Sequence, residues 1–208
     1  MHDALQGSLL GDGAEIGLGP LTALRRTTLG DGAWVDVAAG WLTGADAVFE
    51  RLVTDVAWQA ERRQMYDRVV DVPRLLSHYP EDAPLPDPIL EDARAALNLH
   101  YAGELGERFR TAGLCFYRDG SDSVAWHGDT IGRGRTEDTM VAILSVGAAR
   151  PLLLRPRSGG PTHRYSLGHG DLIVMGGSCQ RTWEHAVPKT RKSVGPRISV
   201  QFRPAGVR

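Results

Sequence analysis

Residues 197–203 read RISVQFR, a segment in which polar and apolar side chains alternate without interruption. Successive side chains of a strand point to opposite faces, so one face of this strand is predicted to carry two arginines and the other three apolar residues. A half-exposed strand with its polar face in water gives the same pattern. If that face is buried instead, the guanidiniums need anionic partners, and a small dicarboxylate would satisfy both. The polar face comprises Arg197, Ser199, Gln201 and Arg203.

Short β-rich runs, separated by Gly, Pro and Asp, lead up to this strand from Gly113 onward. With the last strand they make a predicted array at 114–118, 124–129, 140–147, 151–156, 163–167, 171–176, 181–187 and 197–203. So many short strands in about 90 residues favour a double-sheet jelly roll or a barrel over a parallel β-α-β array.

The residues before Gly113 contain two helical patterns. Thr43 is predicted to cap a first helix that buries Val48, Leu52 and Val56. An Asp-Pro pair at 87–88 is predicted to start a second helix. Residues 34–37 are predicted as a first strand. Residues 71–79, with Pro73 within them and Pro80 directly after them, are predicted as an extended loop or edge strand.

These patterns predict an α+β fold, a double-stranded β-helix (jelly roll) core buttressed by N-terminal helices. A chain of 208 residues is one ordinary domain or two small ones, and no repeat or linker separates the helical from the β-rich part. We therefore expect a single domain over 1–208, with an N-terminal extension at 1–112 and the core at 113–208. Apolar residues at 42% and charged residues at 24% argue against a disordered, collagenous or coiled-coil chain.

The cysteine content and the hydropathy predict a compartment. Cys115 and Cys179 are too few for a disulfide framework, so a reducing environment is expected. The N-terminus lacks the pattern of a signal peptide, and no apolar run approaches the roughly 18 residues of a membrane span. We expect a cytoplasmic monomer with no membrane partner.

The net charge of −1 conceals an asymmetry between the two halves of the chain. Residues 1–103 carry a formal charge of −8 and residues 104–208 a charge of +7. An asymmetry of this size points to nucleic acid or another anion on the basic half. An unevenly charged but merely solvated surface is the alternative.

A metal site is predicted from three residues of the β-rich part. His127 and Asp129 lie two apart in WHGD at 126–129, so they share one face of an extended segment. His185 lies on a later strand, in WEHAV. Two histidines and one carboxylate form the facial triad of non-haem Fe(II) oxygenases. The remaining histidines are better explained as surface or turn residues.

The order of these motifs resembles the AlkB family of 2-oxoglutarate- and Fe(II)-dependent dioxygenases. A His-x-Asp pair is followed by a distant histidine and then by Arg-x5-Arg on the terminal strand. The similarity spans roughly Val72 to Pro204. It includes FYRDG at 116–120, before the iron motif, and HGD at 169–171.

The resemblance implies the catalytic centre and its reaction. His127, Asp129 and His185 would be the catalytic residues and would bind Fe(II). The cofactors would be Fe(II), the co-substrate 2-oxoglutarate and O2. In the family, 2-oxoglutarate becomes succinate and CO2, and an N-methyl group of a base is hydroxylated and lost as formaldehyde.

The resemblance also implies how 2-oxoglutarate binds. Arg197 would form a bidentate salt bridge with the distal carboxylate, with the Tyr117 hydroxyl beside it, and Arg203 would neutralise the carboxylate end near iron. A guanidinium fork matches the geometry of a carboxylate. Where many members have asparagine in this shell, the chain has Cys115 and Ser199, so part of the hydrogen bonding differs.

Substrate recognition in the family lies in the N-terminal part, which covers a nucleotide flipped out of its stack. Residues 72–74 and Tyr79 are similar to that lid, with Tyr79 predicted to line the base pocket and Arg74 to touch nucleic acid. A Tyr79 packed on the core is the alternative. Two residues beyond the iron-binding aspartate, where repair members usually carry an acid that reads the damaged base, this chain has Ile131.

The predicted function is oxidative demethylation of alkylated nucleic-acid bases, in DNA more than in RNA. An oxygenase with the same core that hydroxylates a protein or a small molecule is the first alternative, and Ile131 is the argument for it. A non-enzymatic binding module is the second. Phosphate contacts are expected from the basic half, at Arg133, Arg135, Arg155, Arg157, Arg164, Lys189, Arg191 and Lys192.

Overall fold

The computed structural model describes residues 15–65, 68–81, 83–104 and 106–207, with the side chains of 63–65 and 68–71 left aside. Its strands in the N-terminal part are β1 Gly17–Leu18, β2 Arg25–Gly30, β3 Ala33–Ala38, β4 Leu42–Thr43, β5 Gln59–Met65 and β6 Arg68–Tyr79. The later strands are β7 Phe109–Tyr117, β8 Val124–His127, β9 Val141–Gly147, β10 Arg150–Pro156, β11 His163–Leu167, β12 Asp171–Gly177, β13 Trp183–Val187 and β14 Arg197–Pro204. The helices are α1 Ala45–Asp55, α2 Pro88–His100 and the single turn α3 Cys179–Thr182.

Two antiparallel sheets form the core, which confirms the predicted jelly roll. In the part of the chain that is described, the larger sheet has the order β2-β3-β12-β9-β14-β7-β6-β5 and the smaller β11-β10-β13-β8. Apolar side chains from both sheets meet between them, among them Ile143, Leu154 and Ile173. The outer face of the larger sheet packs against the two long helices through residues such as Leu52 and Leu97.

The N-terminal part of the chain belongs to the same sheet as the rest. Strands β2, β3, β5 and β6 extend the larger sheet at its two ends. Strand β7 itself begins at Phe109. The expected division at residue 112 therefore does not separate two structural units, because hydrogen bonds of one sheet cross it. None of the described helices is long and apolar enough to cross a membrane.

Strand β6 is an interior strand and not the predicted loop or edge. It pairs with β5 on one side and with β7 on the other. Pro73 is tolerated there because the pairing with β5 is interrupted by a register shift between Ala60–Leu75 and Arg62–Asp71, and Pro73 lies in that interruption. The carbonyl of Pro73 instead accepts a hydrogen bond from Ser123 N at 2.8 Å.

The two helix starts differ in how well local sequence predicts them. Asp87 caps α2 as predicted, since its carboxylate accepts a hydrogen bond from Ile89 N at 3.1 Å. Thr43 does not cap α1: Gly44 occupies that position with φ of 62°. The Thr43 hydroxyl donates to the carbonyl of Glu15 at 2.9 Å instead, because β4 pairs with β1 at this point.

Candidate active site

Three side chains with metal-binding atoms meet at one end of the smaller sheet. Strands β8 and β13 are neighbours, and their register places His127 directly opposite His185. The two imidazole centroids lie 4.2 Å apart. Asp129 follows β8 by two residues, and the ligand atoms of all three lie within 4.8 Å of one another. The structure thus brings together the three residues predicted to bind iron.

Hydrogen bonds orient the site. His127 Nδ1 lies 2.9 Å from the carbonyl oxygen of Ala125, so Nδ1 carries the hydrogen and leaves the Nε2 lone pair toward the site. Arg203 Nε donates to Asp129 Oδ2 at 2.6 Å, while Oδ1 faces His127. Gln180 accepts a hydrogen bond from Asp129 N at 3.0 Å through its side-chain oxygen. Each partner fixes the direction of one prospective ligand atom.

The protonation states suit a cation. Burial lowers the pKa of His185 to about 3, with a further contribution from His127. Burial works to raise the pKa of Asp129, but the charges of Arg203 and the two histidines outweigh it and bring the pKa to about 2. At neutral pH the site therefore presents a neutral imidazole and a carboxylate, the forms that bind metals. This donor set fits the two-histidine, one-carboxylate arrangement of Fe(II) oxygenases.

The polar face of β14 is turned inward, so the half-exposed alternative for this strand is wrong. Arg197 is 2% exposed, and its Nε donates to Ser145 Oγ at 2.8 Å. Its Nη1 is buried and has no hydrogen-bond partner among the described atoms. The ring of Tyr117 lies 5.3 Å from the guanidinium carbon. A buried cation with an unpaired N–H is costly, so an anion such as a carboxylate fits here.

One pocket connects the cluster of His127, Asp129 and His185 to Arg197. Its walls come from both sheets and comprise Arg74, Cys115, Tyr117, Val124, His127, Asp129, Val141, Ile143, Leu152, His185, Val187, Arg197, Ser199, Gln201 and Arg203. The His127 side chain is 40% exposed, whereas Arg197 is buried. The cluster therefore lies at the open end of the pocket and Arg197 at the closed end.

The side chains between these ends are linked to one another. Gln201 Nε2 donates to Ser199 Oγ, and Cys115 Sγ lies 3.6 Å from Gln201 Oε1. Burial raises the pKa of the Tyr117 hydroxyl to about 12, so this group stays protonated and available as a donor. The two positions where many family members have asparagine, Cys115 and Ser199, are thus linked to each other through Gln201.

Of the three residues predicted to touch substrate, only Arg74 lines the pocket. Arg74 points inward and lines the pocket, where its Nη1 donates to the carbonyl of Ser123 at 3.0 Å. Tyr79 packs against the helix-side core, on the other face of β6, because residues five apart on a strand face opposite ways. Tyr79 therefore does not line this pocket and matches the alternative of a tyrosine packed on the core. Ile131 is 68% exposed just outside the cluster.

Two residues that support the site were missed in the sequence. Ser145 orients Arg197, and its signal was a lone hydroxyl within the apolar run of β9. Gln180 holds the backbone of Asp129, and no local pattern marks it because its partner lies far away in the chain.

Comparisons with known proteins agree with this geometry. The family model described as the 2OG-Fe(II) oxygenase superfamily matches residues 46–203. The alpha-ketoglutarate-dependent dioxygenase alkB homolog 3 of Homo sapiens is 32% identical over 209 residues, which cover 91% of this chain and 69% of that protein. The DNA oxidative demethylase ALKBH2 of Homo sapiens is 28% identical over 182 residues, covering 76% of this chain and 68% of that protein.

Solved structures show the same fold at low identity. The structure of OsALKBH1 has a TM-score of 0.56 and 15% identity, and the match covers 85% of this chain and 100% of that one. A 2OG-Fe(II) oxygenase family oxidoreductase from Burkholderia pseudomallei has a TM-score of 0.57 and 12% identity, with 85% of this chain and 86% of that chain covered. These likenesses concern the fold alone.

Proposed function

Because the chain belongs to the AlkB-type 2-oxoglutarate- and Fe(II)-dependent oxygenases, we propose that it repairs alkylated nucleic acid by oxidative removal of alkyl groups from bases. One observation carries the proposal. The His-Asp-His cluster and the unpaired, buried Arg197 face a single pocket that opens at the cluster. That arrangement suits a metal and a dicarboxylate held side by side, with a substrate arriving from the open end.

In this proposal His127, Asp129 and His185 hold Fe(II), which when bound supplies the chemistry that couples O2 and 2-oxoglutarate to oxidation of the substrate. Arg203 keeps the Asp129 carboxylate ionised and turned toward the histidines. The hydrogen bond from His127 to Ala125 keeps that imidazole in one tautomer. These partners hold the ligand atoms ready before metal arrives, so little rearrangement accompanies binding.

Arg197 takes one carboxylate of 2-oxoglutarate through its free Nη1, while Ser145 holds the guanidinium from behind. Tyr117 donates its protonated hydroxyl beside it. Arg203 lies at the cluster end of the same pocket and supplies the second positive charge. Two guanidiniums at opposite ends match a dicarboxylate better than a single charge would.

The substrate side of the proposal rests on the position of the basic residues. Arg135, Arg157 and Arg181 line an open cleft with Thr130, the residue that follows Asp129. Arg157 pairs with Glu184, and Arg181 with Asp138, but such exposed ion pairs are worth little and can give way to phosphate. Arg135 has no ion-pair partner among the described residues. The cleft therefore offers a phosphate track that begins at the open end of the pocket.

The other expected phosphate contacts do not line this cleft. Arg133 pairs with Glu107 and Glu137, and Arg155 packs over Trp126 while it pairs with Glu184. Lys189, Arg191 and Lys192 follow β13 toward the closed end, where Thr190 N donates to the carbonyl of Gly120. Arg164 is exposed on β11 and is not part of the cleft lining. The phosphate contacts of the proposal are thus narrowed to Arg135 and Arg157, and Arg181 is added to them.

The identity of the nucleic acid and the base belongs to the same proposal. We favour DNA over RNA, which is supported by the name of the related DNA oxidative demethylase. Arg74, inside the pocket, can contact an inserted base. Ile131 cannot accept a hydrogen bond from a base amino group, so it would select the base by shape. The proposal also takes the protein to be a monomer in the cytoplasm, and the two free, buried cysteines are in keeping with a reducing compartment.

The test is formaldehyde release and mass change on DNA and RNA oligonucleotides that contain 1-methyladenine or 3-methylcytosine. We expect activity that needs Fe(II) and 2-oxoglutarate and that is absent from the His127→Ala variant. A protein that consumes 2-oxoglutarate but demethylates none of these would instead be the protein or small-molecule hydroxylase. The exposed apolar Ile131 beside the site is the observation that favours this second function.

A further inference from the structure

A second arginine is fully buried behind the closed end of the pocket. Arg150, the first residue of β10, is 1% exposed. Its Nη1 donates to the carbonyl of Asp119 at 2.8 Å, and its Nη2 to the carbonyls of Asp122 at 2.9 Å and Pro188 at 2.8 Å. Its Nε is buried and has no partner within the described part of the chain. The side chain thus joins two loops that border the pocket.

The charge of Arg150 is not neutralised by a nearby carboxylate. Both oxygens of the Asp122 carboxylate accept hydrogen bonds from Arg118 instead. Asp119 accepts from Ser121. Backbone carbonyls satisfy N–H groups but carry no full negative charge. Among the described residues Arg150 has no ion pair, so its buried positive charge is only partly offset by the more distant carboxylates of Asp122 and Asp119.

This charge lies beside the one that Arg197 carries. The guanidinium carbons of Arg150 and Arg197 lie 5.7 Å and 5.3 Å from the centroid of the same Tyr117 ring. Both side chains are almost completely excluded from water. Two like charges buried near each other repel, and water does not screen them. An anion bound at Arg197 offsets that repulsion, so the electrostatic attraction of both guanidiniums favours binding of the anion.

We propose that Arg150 is a charge determinant of the co-substrate pocket, which strengthens binding of the distal carboxylate at Arg197 and so selects dicarboxylate over monocarboxylate 2-oxoacids. The proposal rests on 2-oxoglutarate being the co-substrate, as the proposed function has it. Arg150 does not line the pocket and acts through space, from behind Tyr117. The two distances to the Tyr117 centroid put the guanidinium carbons of Arg150 and Arg197 at most about 11 Å apart. With an effective dielectric of about 20, a charge at that distance is expected to change the affinity about tenfold.

The experiment compares 2-oxoglutarate with 2-oxopentanoate, which has the same carbon chain without the distal carboxylate. Binding of each is measured with Mn(II) in place of Fe(II), together with the melting temperature of each variant. Arg150→Met should weaken 2-oxoglutarate about tenfold and leave 2-oxopentanoate unchanged. Lys189→Gln is the matched control, since it removes an exposed, water-screened charge next to Pro188, whose carbonyl Arg150 also holds. It should change neither affinity.

Arg150→Lys separates charge from loop positioning and serves if the methionine variant does not fold. It keeps the charge but cannot hold three carbonyls, so its melting temperature should fall while the ratio of the two affinities stays within about threefold of the parent ratio. Equal losses for both oxoacids, or a collapsed ratio in folded Arg150→Lys, would show that Arg150 only supports the loops and would overturn the proposal. Failure of the parent to bind 2-oxoglutarate would instead refute the proposed function.

Discussion

Gly128, between the two ligands His127 and Asp129, has no room for a side chain. A Cβ built there would lie under 3.0 Å from the carbonyl oxygen of Gln180, 2.7 Å from Arg157 Nη2 and 3.2 Å from the carbonyl oxygen of Trp183. The arginine can swing away, but the backbone carbonyls of α3 and β13 cannot. In Gly128→Ala the turn that carries Asp129 must therefore shift.

The size of the effect follows from these distances. Ordinary contact begins at 3.4 Å, so the turn has to move by several tenths of an ångström or more. Metal–ligand distances tolerate only about ±0.2 Å. Overpacking of this kind costs about 1–3 kcal/mol. If that cost falls on the metal-bound state, metal affinity drops roughly 5- to 140-fold, at 1.4 kcal/mol per factor of ten.

The assay is an anaerobic titration with Fe(II), repeated aerobically with Mn(II), on the parent, Gly128→Ala and a control. Gly103→Ala is the control, because a Cβ at that turn meets nothing within 4 Å. We expect the control to bind metal like the parent. Parent-like metal affinity in a folded Gly128→Ala protein would refute the reasoning, since the ligand turn would then tolerate the displacement that the contacts require.

Three further predictions concern the pocket, the cleft and acid stability. Arg197→Lys keeps the charge but loses the fork, so 2-oxoglutarate affinity measured with Mn(II) should weaken by about 1.5–3 kcal/mol, and an unchanged affinity would count against its role. Exchange of the cleft residues Arg135, Arg157 and Arg181 for glutamine should reduce the slope of log K against log salt for oligonucleotide binding by about 0.7–0.9 per lost phosphate contact. The same exchange at Lys189, Arg191 and Lys192, near the closed end, should leave that slope unchanged. Burial works to raise the pKa of Asp122, but the hydrogen bonds and charge of Arg118 lower this pKa on balance. The ionised Asp122 therefore stabilises the fold above the ordinary aspartate pKa, and this stabilisation is lost as the pH falls through the pKa of Asp122 in the folded protein. Urea unfolding at neutral and acid pH should show a smaller acid loss for Asp122→Asn than for the parent, and equal losses would contradict this assignment.

Much of the fold follows from local patterns. The β-rich runs after Gly113 each overlap a strand of the structure, because alternation and turn residues act within a few neighbouring positions. The Asp-Pro start of α2 was predictable for the same reason. Thr43 shows the limit of such signals, since its hydroxyl is used by a strand pair that forms with a distant segment.

Local sequence patterns predicted only part of the candidate site. Period-two spacing places His127 and Asp129 on one side of a segment, but His185 meets them because β13 pairs with β8 and lies opposite His127 in that pairing. Arg74 and Tyr79 show the same limit. The sequence pattern did not determine which face of β6 lines the pocket; that was decided by the position of β6 in the sheet, where it pairs with β5 on one side and with β7 on the other.

The last strand shows most clearly which features follow from the sequence and which depend on the tertiary structure. Its sequence by itself determined that Arg197 and Arg203 share a face, since side chains alternate on any strand. Whether that face meets water or a dry pocket was decided by the smaller sheet packing over it, and by Ser145 and Asp129, which hold the two guanidiniums there. Alternation is a property of the covalent backbone, whereas burial depends on which distant strands become neighbours. Only the tertiary structure could turn two arginines of one strand into the two ends of a pocket.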